Sequence, residues 1–240
     1  MLHVIALAVL PPLILLYYVY QQDRLQPEPV RNLVKAFFYG GLSVYASLLI
    51  SVPFMHLGLF PQEIHTLGDA FRTAFFGAAI PEETAKLVLL WLFLRKCKDF
   101  DERMDGIVYA ACVGLGFASF ENIQYLLSAG SQWVTVGLGR SITAIPAHFG
   151  FAVVMGYYFS LHYFDRYRAP GAGLKMWLYP VLLHGVYDWV AMTQEVTPEL
   201  SGIIAIAILL LCFWLMKGAQ KKMKTHLVAD SFHATGIDEQ

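Results

Sequence analysis

Charge is scarce in this chain. Only 15% of its 240 residues are Asp, Glu, Lys or Arg, whereas 57% are hydrophobic. A soluble domain carries about 25% charged residues, so an ordinary soluble fold is excluded. Cysteine is scarce too. Cys97, Cys112 and Cys212 show no CxxC spacing. That excludes a disulfide framework and gives no support to a thiolate zinc site. The net charge of −1 comes with no basic stripe outside one set of loops, so nucleic acid is not an expected partner. No internal repeat is visible. No long polar stretch precedes Lys217, which excludes a separate soluble domain.

What is present is length of apolar sequence. Windows of about 20 mostly apolar residues mark transmembrane helices. Seven are predicted, at roughly 2–20, 33–52, 71–95, 104–128, 140–164, 175–193 and 200–216. The fold class is therefore all-α, a polytopic transmembrane helix bundle. Residues 1–216 form one integral membrane domain, with a catalytic core at about 70–193. Residues 217–240 are expected to form a basic, then polar, flexible cytoplasmic tail. The first segment lacks a basic start and a small-x-small cleavage site, and reads as a retained helix.

The basic residues orient these spans. Arg24, Arg31 and Lys35 follow the first span. Arg95, Lys96, Lys98 and Arg103 follow the third, and Arg166, Arg168 and Lys175 the fifth. Lys217, Lys221, Lys222 and Lys224 follow the seventh. The alternate connections, 53–70, 129–139 and 194–199, have none. By the positive-inside rule the N-terminus is outside and the C-terminus cytoplasmic.

Against this apolar background stand seven ionisable side chains within spans: Glu82, Glu83, Lys86, Glu121, His148, His184 and Asp188. A charge at the bilayer centre costs about 2.5–3.5 kcal/mol on insertion scales, so such groups face the protein interior and mark function. Pro81-Glu82-Glu83-Thr84-Ala85-Lys86 predicts a helix start, with a break or kink near Ala79–Pro81. Glu82 and Lys86 share a helical face, while Glu83 points about 100° away, so the two acids have different roles. A bland reading, a capped helix with an ion pair, leaves Glu83 without a partner. Gly114-Leu115-Gly116 and Ser119 allow close helix approach and carry Glu121 and Asn122 toward neighbours. Taken alone, that segment reads equally as a packing face with one structural carboxylate. Arg140 to His148 contains Pro146, which bends the helix locally. His148 alone reads as an interhelical hydrogen bonder. His184 and Asp188, four apart, stack on one face, where a satisfied His–Asp pair is the plain alternative. Depth unites them. Counting about 1.5 Å per residue, Glu121, His148 and His184 lie roughly 10–12 Å below the outer surface, with Glu82 and Glu83 somewhat deeper.

These motifs together resemble the PrsW family of intramembrane proteases, related to CAAX-type and bacteriocin-processing membrane proteases. The resemblance rests on EExxK (Glu82, Glu83, Lys86), FxxxE (Phe117, Glu121) and HxxxD (His184, Asp188). Asp105-Gly106 with Tyr109, and the Arg140 to His148 helix, add to it. It covers about residues 70–190. It implies a multi-pass peptidase of the bacterial inner membrane. It also implies a single-span membrane protein as substrate, such as an anti-sigma factor cut first on its extracytoplasmic side.

The residues allow two chemistries. In one, Glu121, His148 and His184 bind Zn²⁺ and leave a position for water. Glu82 or Glu83 is then the base, Lys86 tunes the carboxylates, and Asp188 orients His184 or binds substrate. In the other, metal-free version, a Glu–His pair activates the water. The metal version is preferred because the histidines and acids at one depth exceed what a pair requires. Asn122 completes the candidate catalytic set. Two other classes compete. Buried Glu, His and Lys also make proton relays, as in a proton-coupled transporter, but no inverted repeat is present. A membrane scaffold would not require seven ionisable groups within its spans.

Overall fold

The computed structural model describes residues 1–23 and 26–234, with side chains through residue 232. Arg24 and tail residues 235–240 lie outside the described residues. Among the described residues every element is helical and no strand occurs. In chain order they are α1 (Leu2–Gln22), α2 (Val30–His56), α3 (Leu67–Arg72), a π-helical segment (Thr73–Ala79), α4 (Ile80–Leu94) and α5 (Arg103–Ser128). A 3₁₀ turn (Gly130–Gln132), α6 (Trp133–Ile142), α7 (Ala144–Phe164), α8 (Ala172–Val196), a second 3₁₀ turn (Pro198–Leu200) and α9 (Ser201–Ala234) follow.

These form seven rods, because α3, the π segment and α4 run on continuously, as do α6 and α7. Five stretches are long and apolar enough to cross a membrane: Leu2–Gln22, Val30–His56, Arg103–Ser128, Gly130–Phe164 and Pro198–Phe232. The other two rods, α3 to α4 and α8, carry Glu82, Glu83, Lys86, His184 and Asp188, and those polar groups dilute their hydropathy.

α5 is the axis of the bundle. It is buried almost continuously from Met104 to Ser119. One core cluster joins Val19, Ile107, Ala111, Leu115, Phe149 and Met223, drawn from α1, α5, α7 and α9. Small residues set the helix spacing. A Cβ on Gly114 would meet the Ala152 Cβ at 2.5 Å and the His148 carbonyl at 3.3 Å. The glycine thus lets α7 lie directly on α5 and brings His148 up to it.

Two irregularities bracket the site. Pro81 cannot donate to the carbonyl four residues back, and its ring would strike that carbonyl in a regular α-helix. The wider π turn that ends at Ala79 relieves this clash, and such turns recur at functional sites. This is the predicted break. The second irregularity is Thr143, with φ −121 and ψ −74, which separates α6 from α7. Pro146 falls in the first turn of α7, where its missing N–H removes no helical bond.

The tail differs from its expectation. α9 does not stop at residue 216 but continues to Ala234, so 217–234 are helical and docked where a flexible segment was expected. The reason is a buried stripe at helical spacing, Ala219, Met223, His226 and Asp230. The His226 ring stacks on Tyr157 with centroids 4.4 Å apart. Asp230 accepts the backbone amides of Arg103 (3.1 Å) and Met104 (2.9 Å), and so caps the start of α5. The three cysteines are free, as expected.

Candidate active site

The charged groups predicted from sequence meet where α4, α5, α7 and α8 converge. α4 delivers three of them from its first turns. The Lys86 Nζ donates to Glu83 Oε1 at 2.9 Å and to Glu82 Oε2 at 3.3 Å, and it lies 3.4 Å from the His148 Nδ1. It also sits 3.7 Å above the centre of the Phe117 ring. The buried ammonium is thus held by two acids, an imidazole and an aromatic face.

The two neighbouring glutamates differ. Glu83 is fully buried and pairs through Oε1 with the His184 Nδ1 at 2.9 Å, while its Oε2 has no partner among the described residues. Glu82 is partly exposed and lines a cavity of about 370 Å³ with Glu121, Gln124 and Tyr125 of α5 and with Val44, Ser47 and Leu48 of α2. The expected divergence in direction therefore places one acid toward solvent and the other inside.

The His184 ring is gripped from both sides. Its Nδ1 faces Glu83, and its Nε2 lies 3.1 Å from Asp188 Oδ2 and 3.8 Å from Glu82 Oε2. Phe151 stacks on it with centroids 5.0 Å apart and planes at 18°. Gly185 leaves room for the Phe75 ring of the π segment, which packs α8 against the irregular turn.

Glu121 has a different environment. Arg140 of α6 donates to its Oε2 at 2.5 Å and to Asn122 Oδ1 at 2.5 Å, and its guanidinium lies 3.9 Å over the Tyr125 ring. The same Glu121 oxygen is 3.1 Å from the His148 Nε2. The ligand atoms that come within 4.8 Å of one another belong to Glu82, His148 and His184. Glu121, the expected companion of the two histidines, lies beside His148 and pairs with Arg140, while the ligand atoms of Glu82 come within reach of both histidines. Arg140 was not among the expected site residues. Its signal was positional, since with Arg72 it is one of only two basic residues at span ends on the otherwise basic-free face. Phe151, which walls the histidines together with Phe117 of the FxxxE motif, gave no signal apart from an ordinary core aromatic.

The family described as PrsW family intramembrane metalloprotease matches residues 28–216. The chain belongs to the PrsW family. Protease PrsW of Geobacillus kaustophilus (strain HTA426) is 33% identical over 208 residues, covering 87% of this chain and 88% of its own. Protease PrsW of Clostridioides difficile (strain 630) is 32% identical over 206 residues, 85% of each chain. Protease PrsW of Bacillus subtilis (strain 168) is 32% identical over 191 residues, 79% of this chain and 83% of its own. No solved structure matches significantly. As a PrsW-family member the chain is a multi-pass membrane peptidase, and the family description implies a metal.

The residues fit such an ion. Four carboxylates, Glu82, Glu83, Glu121 and Asp188, face two basic side chains, Lys86 and Arg140. With neutral imidazoles this leaves two negative charges, the complement of a divalent cation. A carboxylate and two imidazoles from three helices, in mutual reach, form a donor set of the catalytic-metal type. Glu83 stands behind His184, as the carboxylate partner of a metal-bound histidine does.

Proposed function

We propose that this protein cleaves single-span membrane proteins within or beside their transmembrane segment, on the extracytoplasmic side. An anti-sigma factor is the substrate class that the family resemblance implies. The observation that carries the reading is the convergence of Glu82, His148 and His184, from three helices, beside a cavity that opens between α2 and α5. Glu82, His148 and His184 would hold the ion, which on this reading is Zn²⁺. When bound, it supplies Lewis-acid polarisation and a more acidic water.

The chain's own residues do the rest. The substrate strand enters through the opening between α2 and α5, which Ser47 and Gln124 make partly polar. A helical peptide bond is shielded by its own hydrogen bonds, so the segment must unwind locally before it is cut. Glu121, on the same cavity wall, takes a proton from the attacking water. Arg140 keeps that carboxylate aimed, and its guanidinium supplies positive charge for the oxyanion. Lys86 holds Glu82 and Glu83 together against their mutual repulsion, and Asp188 and Glu83 fix the His184 ring. Water reaches the site through the same cavity, whose wall comes from α2, α4 and α5.

One observation favours a second reading. Lys86 already places a positive charge between Glu82 and His148. In a metal-free reaction the Glu121–His148 pair would activate the water and the Lys86 ammonium would supply the electrostatic stabilisation.

By the loop charges, the N-terminus is extracytoplasmic and the C-terminus faces the cytoplasm of a bacterial inner membrane. Cleavage of a co-expressed single-span substrate, with mapping of the new terminus, tests the function. The expected cut lies on the extracytoplasmic side of the segment. A cytoplasmic cut, or efficient digestion of soluble unfolded protein, would refute it. Metal analysis of detergent-purified protein should give about one zinc per chain at this site, falling with His184→Ala. Undiminished cleavage in strong chelator would select the metal-free route.

A further inference from the structure

A second group of acids lies at the end of the bundle where α1 finishes and α5 begins, sixteen residues along α5 from Glu121 of the candidate active site. Oxygens of Asp23, Glu102 and Asp105 lie within 4.8 Å of one another. Asp23 is 1% exposed, and neither of its carboxylate oxygens has a hydrogen-bond partner among the described residues. Asp105 is also 1% exposed. Its Oδ2 accepts the amides of Asp101 (2.9 Å) and Glu102 (2.6 Å), while Oδ1 has no partner. Glu102 takes Gln26 on Oε1 at 2.6 Å and leaves Oε2 without one. Glu28, buried at 4%, adds a fourth carboxylate whose charge acts on Asp105, and it accepts a hydrogen bond from Tyr109.

No described lysine or arginine pairs with these acids. The neighbouring Arg103 is committed elsewhere, donating to Asp165 at 2.7 and 2.8 Å. Buried carboxylates without a counter-charge are costly, and each free oxygen adds a desolvation penalty. Burial and the facing acids push Asp23 and Glu28 up to about 7. A bound cation resolves all of these features together. The donors are oxygens only, which selects a hard ion over one that prefers histidine or thiolate.

We propose that Asp23, Glu102 and Asp105, with Glu28 beside them, bind one hard divalent cation of the Mg²⁺, Ca²⁺ or Mn²⁺ class. The ion would clasp the end of α1 and the connector around Glu28 to the first turn of α5. This gives a role to the Asp105-Gly106 and Tyr109 motif, which the proteolytic site does not use. Gly106 keeps the turn close to α7, since a Cβ there would collide with Ser160 Oγ. Tyr109 fixes Glu28 from the next turn of α5.

The test uses full-length protein in detergent, freed of metal with chelator and then titrated separately with Mn²⁺, Ca²⁺ and Mg²⁺. Electron paramagnetic resonance should count about one Mn²⁺ bound per chain, retained in His184→Ala and lost in Asp23→Asn. Saturating Ca²⁺ or Mg²⁺ should raise the Tm of the wild type by about 5–10 °C. The same addition should leave Asp23→Asn unmoved. In chelator, Asp23→Asn should melt at or above the wild-type temperature, because one repelling charge is gone. Glu102→Gln, altered at the half-exposed edge of the cluster, provides a second variant with the same expected loss of binding. Absence of saturable binding at millimolar cation would overturn the proposal. So would binding that survives both Asp23→Asn and Glu102→Gln, or binding that His184→Ala abolishes while Asp23→Asn keeps it.

Discussion

The molecule contains two buried clusters of carboxylates, and they are built in opposite ways. At the candidate active site every acid has a basic or imidazole partner: Glu82 and Glu83 have Lys86, Glu121 has Arg140 and His148, and Asp188 has His184. At the α1–α5 junction, Asp23 has no partner and Asp105 and Glu102 are each half-satisfied among the described residues. In the first cluster two basic side chains offset two of the four carboxylates, and Glu82 and Glu121 line a cavity; in the second no described lysine or arginine offsets any of the acids. Both are rich in buried carboxylates, but only the first has imidazoles, and it lies within the helices where the second lies at their ends. What separates the two is the supply of counter-charges and imidazoles from neighbouring helices, present at the first and absent among the described residues at the second.

The largest expected effect divides the first cluster internally. Glu82→Gln should lower cleavage of a membrane substrate by about 10²–10⁴-fold with the fold retained, since shape is preserved and only charge is lost. Glu83→Gln, which touches His184 rather than the cavity, should lower it by about 10–100-fold. Equal losses for the two would erase the distinction between the cavity-facing and the buried acid. Full activity in both would remove this motif from the reaction.

Removing a counter-charge is the next contrast. Lys86→Met should destabilise the protein by about 3–5 kcal/mol in detergent unfolding, because it strands two buried carboxylates. Asp23→Asn, which removes a charge from the unbalanced cluster, should not destabilise the metal-free protein at all. If Lys86→Met proves harmless, the balance attributed to the first cluster is not real.

A smaller loss than that of Lys86→Met is expected where α9 meets the start of α5. Asp230→Asn weakens the cap on α5 and should cost about 1.5–3 kcal/mol by the same unfolding measurement. Cleavage per folded molecule should be unchanged, since Asp230 touches no site residue named here.

Much of this was legible in the sequence. Five of the seven expected spans coincide with helices long and apolar enough to cross a membrane, and the seven ionisable residues named within the spans came to one locus. The cost of burying charge in lipid made those residues conspicuous. Arg140 was overlooked as a site residue because it sits at a helix end, where a basic residue is unremarkable; only the break at Thr143 folds it over Glu121. Choosing between Glu82 and Glu121 as companion to the histidines required the lateral placement of α4 against α8, which depth along a helix does not supply. The tail was misread because lysines dominate its composition. The stripe of Ala219, Met223, His226 and Asp230 was present, but the buried positions are interspersed with charge, as in any amphipathic helix.

The cap that Asp230 places on α5 has a consequence in time. The two residues it serves precede it by 127 and 126 positions. At synthesis rates of about 5–20 residues per second, roughly 6–25 s pass between the emergence of the amides and of their acceptor. Until then Asp105, which accepts the Asp101 and Glu102 amides, serves this end of α5. The Arg103 and Met104 amides gain their acceptor only once α9 has been made and has docked.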